Sequence, residues 1–195
     1  FRKILVAFSL MLLCSSMSAQ SVNWKIRKGE KLSYFIAFNS TLTGNVKGGK
    51  ATLSVLPQTS KVGNTNVYHA VLRGETTGMV EWFYRIDNKY ESFMDTETLN
   101  PVMFIDNIKE NKYSRNDTIM VNQSNKTAVV NGEKTFNILT NTQDFVSMLY
   151  FVRKLNFENM KEGDVINVPY LTEKKVINSK VLFRGKQKVK TKYGT

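Results

Sequence analysis

Apolar and polar side chains alternate along most of this chain in short runs, broken by Gly, Asn, Asp and Pro. Leu32, Tyr34, Ile36 and Phe38 alternate with Lys31, Ser33 and Ala37, the period of a half-buried strand. The same reading predicts strands over 51–55, 67–72, 79–86, 90–94, 102–108, 113–115, 118–121 and 126–130. After the helix described next come strands over 165–170, 175–183 and 186–193. Residues 39–49 are rich in Asn, Thr and Gly and read as a turn region. Asn131-Gly132 is a strong hairpin signal. One stretch breaks the period of two. In TQDFVSMLYFVRKL, residues 142–155, Phe145, Met148, Leu149, Val152 and Leu155 recur at helical spacing. Thr142 or Asp144 can cap its first amides, and Arg153 and Lys154 suit the negative end of its dipole. Val146, Tyr150 and Phe151 fall outside that stripe, so the helix is apolar over more than one face. It either lies buried on a sheet and under a loop, or its second face lines a groove for an apolar ligand.

About ten strands with one helix and no βαβ rhythm predict a mainly β fold. The expected form is a single curved antiparallel sheet, or an open or half β-barrel, with the helix packed on its concave face.

The first twenty residues follow a different pattern. In FRKILVAFSLMLLCSSMSAQ, Arg2 and Lys3 precede an apolar run over 4–13 and then small residues. That is the form of a secretory signal peptide over residues 1–19. The apolar run is short for a bilayer span. Leu13 is too large for the position before a lipidated Cys14. Cleavage after Ala19 removes the one Cys, so residues 20–195 are expected to form a single thiol-free mainly β domain. The expected location is periplasmic or extracellular, with no membrane-spanning segment. Export also weighs against a nucleic-acid partner, despite a formal net charge of +12. The chain stops directly after a strand, and its natural C-terminus is expected to lie beyond Thr195.

The chemistry-bearing residues are sparse. His69 is the single His and reads as structural, so neither a His-clustered metal site nor a cofactor is expected. There is no Gly-x-Ser-x-Gly elbow and no Gly-rich phosphate loop before the helix. Glu91, Asp95 and Glu97 lie close in sequence and could act as acid and base; the plainer reading is a turn cap at Asp95 and an ion pair between Glu91 and a nearby Arg or Lys. Arg153 is expected to anchor the helix end to carbonyls or to an acid such as Glu91. Aromatic residues are plentiful, with Trp82, Phe83 and Tyr84 adjacent. Trp82, Tyr84, Phe145, Leu149, Tyr150 and Arg153 are therefore the candidate residues for a lipid or other amphipathic ligand between sheet and helix. From Glu173 to Thr195 there are eight basic residues and one acid. Lys186, Lys188, Lys190 and Lys192 recur at period two and would share one strand face. They are the candidate contact for an anionic envelope component, against the plainer reading of a solvated or aggregation-protected edge.

Several stretches, taken in order, carry a resemblance. They are GEKLSY (29–34), GGKATLSV (48–55), YRIDNKYESFMDTETLNPVMF (84–104), QDFVSMLYFVR (143–153) and the closing GKQKVKTKYGT. Together they resemble the domain-of-unknown-function family 3108 of exported Gram-negative envelope proteins. The resemblance implies an exported antiparallel β protein and brings no established activity. A half-barrel with a helix across its mouth is also similar, at the level of fold, to periplasmic lipoprotein carriers of the Lol type. The expected function is a non-enzymatic envelope protein that holds or carries a hydrophobic or amphipathic ligand. The alternative is a scaffold domain binding protein or polysaccharide through its surface.

Overall fold

A computed structural model describes residues 26–40, 44–172 and 175–188. The expected signal peptide over 1–19 lies outside the described residues, as do Lys190 and Lys192. In chain order the elements are β1 (Lys31–Ser40), β2 (Gly44–Val55), β3 (Ser60–Val62), β4 (Thr65–Thr76), α1 (Met79–Phe83), β5 (Asp87–Asp95) and β6 (Pro101–Glu110). There follow β7 (Tyr113–Asn122), β8 (Thr127–Val130), β9 (Lys134–Asn137), α2 (Phe145–Lys154), β10 (Val165–Leu171) and β11 (Val176–Leu182).

Nine strands form one antiparallel sheet in the order β1-β2-β4-β5-β6-β7-β8-β9, with β3 pairing off the path against β4. Nearly every neighbour in space is a neighbour in sequence, so short turns suffice to build it. The outermost strands β1 and β9 do not pair, and the sheet is open. β10 and β11 make a separate hairpin.

The pairing register places one apolar row on one face. Leu53 faces Leu72, which faces Tyr90. Val55 faces Ala70, then Ser92, Phe104, Ile119 and Val130. Directly opposed residues share a face, so these side chains form a continuous floor. Val146 and Tyr150 of α2 and Leu171 of β10 close over it. The opposite face carries Lys50, His69, Arg73, Lys89 and Glu91 as alternating neighbours. There His69 Nε2 sits 2.8 Å from Glu91 Oε2 and its ring stacks on Phe93 at 4.1 Å. Glu91 also pairs with Lys89 at 2.7 Å. Burial pushes the Glu91 carboxyl up, but hydrogen bonds from Lys89 and His69 outweigh that and hold it below the usual range. Asp95 accepts the amides of Glu97 and Thr98 as a turn cap.

Three local expectations are corrected. Residues 39–49 are mostly strand, because β1 and β2 pair on through Ser40 and Gly44; the ladder overrides their weak strand preference. The two runs 113–115 and 118–121 are one strand, β7. Asn116 and Asp117 looked like a break, yet Asp117 accepts a hydrogen bond from Asn131 Nδ2 at 2.7 Å and stays in register with Asp106. Residues 79–86 form no strand of their own: Gly78, at φ 64°, turns the chain into α1. A continuous apolar run cannot distinguish the two periods. Asn131 and Gly132 do form the tight turn, both at positive φ, as a type I′ geometry requires.

Candidate functional site

The segment before α2 fixes the helix on the sheet. Thr142, Gln143 and Asp144 are all fully buried. The Gln143 amide donates to Pro169 O, and Leu171 N–H donates to Gln143 O, which ties β10 beside the helix start. Gln143 Nε2 donates to Asn100 Oδ1 at 2.8 Å. Asp144 then caps the helix. Its Oδ1 accepts the amides of Val146 and Ser147 at 2.7 and 2.8 Å, and Ser147 Oγ accepts the Asp144 amide. Its Oδ2 accepts the Ser92 hydroxyl of β5 at 2.6 Å. One carboxylate thus satisfies helix amides that lack intrahelical partners and links helix to floor.

That link sets the rotation of α2. Val146, Ser147 and Tyr150 face inward and are buried, while Phe145 and Leu149 are each 39% exposed. The expected stripe through Phe145 and Leu149 is therefore not the buried one. A buried polar cap outranked the apolar count, and Ser147 faces inward because it completes the capping box. At the other end Arg153 makes a two-pronged pair with Glu30, with both N–O distances 2.8 Å. Its guanidinium carbon also sits 5.3 Å from the centre of the Tyr150 ring. The partner acid is Glu30 rather than Glu91, which lies on the opposite sheet face. The Arg153 hydrogen bond holds the Glu30 carboxyl below its usual value, against the pull of burial. Glu30→Gln is expected to lower stability by about 1 kcal/mol at pH 7. The folded carboxyl titrates below the unfolded one, so its contribution is present above the unfolded pKa and lost as pH falls through the folded one. Thermal melts of the variant and wild type should converge on acidification.

Beside the helix start lies a cleft of about 330 Å³. Tyr90, Phe104 and Ile108 of the sheet line one side, Phe145 of α2 and Tyr170–Thr172 the other. The Phe145 ring meets Tyr90 edge-on at 5.0 Å, and Tyr90 lies parallel to Phe104 at 6.4 Å. The polar wall is Asp106 with Arg115. The Arg115 Nη2 atom pairs with Asp106 Oδ2, and Nε lies 3.2 Å from Asp117 Oδ2. Burial pushes the Asp106 carboxyl up despite Arg115 beside it. Burial also raises the Tyr90 hydroxyl, with help from the charge on Glu110. One carboxylate and one guanidinium thus line this wall, and Asp117 pairs with the guanidinium from outside the lining.

The sequence profile of a family described as a protein of unknown function (DUF3108) matches residues 33–195. The chain belongs to the DUF3108 family. No curated protein and no solved structure matches it, so the likeness to Lol-type carriers gains no support from these comparisons. Among the described residues of this DUF3108 member, no group of three or more His, Cys, Asp and Glu is placed to hold a metal ion. None of its described helices is long and apolar enough to cross a membrane.

Of the ligand residues expected from the sequence, Phe145 lines the cleft. Tyr150 is buried in the core, Arg153 is engaged with Glu30, and Leu149 lies one turn beyond Phe145 on the exposed side of α2. Trp82 and Tyr84 sit on and just after α1, away from the floor, with Trp82 89% exposed. Their expected place between sheet and helix followed from the strand reading of 79–86 and is corrected with it. Lys186 and Lys188 are exposed and belong to no strand, which corrects the expected start of a strand there. The sequence reading passed over Tyr90, Asp106 and Arg115. A signal was available in VMFIDNI, where Phe104, Asp106 and Ile108 share a strand face. A carboxylate on an apolar stripe marks a paired or functional group.

Proposed function

We propose that this protein is a non-enzymatic, exported binding protein whose ligand is a small amphipathic molecule with a neutral or cationic head. The export signal over 1–19 supports the first half of that reading. The cleft beside α2 carries the second: aromatic rings on both sides, a polar wall at one end, and a volume of about 330 Å³, within the range of small-molecule sites. The rings of Tyr90, Phe104 and Phe145 favour an apolar chain or ring. Asp106 at the wall and the faces of the aromatic rings favour a positive head over an anion.

Decyltrimethylammonium, decyl maltoside and decanoate share an apolar tail and differ in head charge. Calorimetric titration below their micelle concentrations should rank the cation first and the anion last. Phe145→Ala should weaken binding of the cation by roughly tenfold, and Asp106→Asn should remove the preference for it over decanoate. Equal affinity for all three probes, or an unchanged Phe145→Ala titration, would remove this reading.

A further inference from the structure

The residues at α1 have no place in the core, and their exposure points elsewhere. Met79 is 69%, Trp82 89%, Phe83 84% and Tyr84 45% exposed. Four adjacent large apolar side chains in solvent are a departure from an ordinary soluble surface, where such residues scatter singly. The segment is nonetheless firmly held. Thr77 N–H donates to Gly48 O, Thr76 N–H to Ile86 O, and Ile86 N–H to Thr76 Oγ1. Arg85 and Asn111 exchange two bonds, the Asn111 amide to Arg85 O and the Arg85 amide to Asn111 Oδ1. Tyr84 donates its hydroxyl to Glu110 at 3.2 Å. The base is thus bonded to β2 and to the β6–β7 turn, while the Trp82 and Phe83 rings are largely exposed.

The surroundings narrow the partner. Exposed Arg85, Lys109 and Lys112 adjoin the tip in sequence or across the Arg85–Asn111 bonds, against the acids Glu81, 3.6 Å from Arg85, and Glu110, bonded to Tyr84. The whole chain carries 28 basic and 16 acidic residues, so its long-range field attracts an anionic surface. The exposed apolar side chains offer roughly 600 Å², a patch of the size that marks an interaction surface. Protruding Trp, Phe and Tyr side chains with a basic rim match the headgroup region of a bilayer, where amphipathic rings settle and cations find phosphates.

We infer that residues 79–84 form a membrane-docking tip that inserts Trp82 and Phe83 into the interfacial region of anionic bilayers. It shares no residue with the cleft beside α2 and opposes it in charge preference, so either assignment can fail alone. The chain from residue 20 onward, the form expected after export, should co-sediment with vesicles of phosphatidylglycerol and phosphatidylcholine, weakly with phosphatidylcholine alone, and less at high salt. The double variant Trp82→Ser, Phe83→Ser should partition at least tenfold less, with an unchanged thermal melt because neither ring is packed. With Trp24→Phe the Trp82 indole is the sole Trp, and anionic vesicles should shift its emission to the blue. Equal sedimentation of the double variant, no emission shift, or tip-dependent dimerisation without lipid would each overturn the inference.

Discussion

Asp144→Ala is expected to destabilise the fold by about 3 kcal/mol or more at pH 4, and by less at pH 7, measured by urea or thermal unfolding. The substitution removes the acceptor for the Val146 and Ser147 amides and for the Ser92 hydroxyl, all inside a fully buried site. A lost cap costs about 1 kcal/mol and each stranded buried donor about 1–3 kcal/mol. Asp144→Asn should be far milder, because an amide oxygen accepts the same helix amides. The pH dependence separates the two roles of the group. Burial pushes the Asp144 carboxyl up to about 6 from 3.8, against the Ser92 hydroxyl and the Ser147 and Val146 amides. The folded state therefore binds the proton more tightly than the unfolded state. The contribution of Asp144 is fully favourable below pH 3.8 and declines as pH rises to about 6. Across that window the stability of Asp144→Asn should gain on wild type by about 3 kcal/mol. A difference that stays flat from pH 4 to 7 would mean the carboxyl titrates normally.

Tyr150→Ala is expected to cost about 3–5 kcal/mol, the range for deleting a buried aromatic ring. Tyr150 has no exposed surface and belongs to the same cluster as Leu53, Ala70 and Leu171. It also forms the platform beside Arg153, so its loss should loosen the Arg153–Glu30 pair. Burial pushes the Tyr150 hydroxyl far up, with help from the charge on Glu30, so it stays protonated across the working range. Tyr150→Phe keeps the ring and should cost under half as much as Tyr150→Ala. Comparable losses from the two variants would place the stabilisation in the hydroxyl rather than in packing.

The mainly β, antiparallel class could be read from period, because most strands of a meander are separate alternating runs. The short β3 and β9 carry no such run, β7 reads as two and 79–86 reads as a strand. The cap was legible as Thr142 or Asp144, and Asp144 takes it. What failed was anything set by a distant partner. The rotation of α2 depends on Ser92, fifty-two residues away, and no helical wheel contains that. The choice between strand and helix over 79–83 depends on whether a neighbour receives the rings, and Trp82 and Phe83 stay largely exposed. The cleft joins Tyr90, Asp106, Arg115 and Phe145 from four elements, and its lone local clue was a carboxylate on an apolar face. Arg115 could not be singled out from sequence because its partner, Asp106, lies on the neighbouring strand.

Amide chemical-shift mapping with decyltrimethylammonium tests the cleft beside α2 directly. The largest changes should fall on Tyr90, Phe104, Arg115, Phe145 and Tyr170, around that one cleft. Saturable binding with changes confined to other surfaces, and these five amides unmoved, would contradict it.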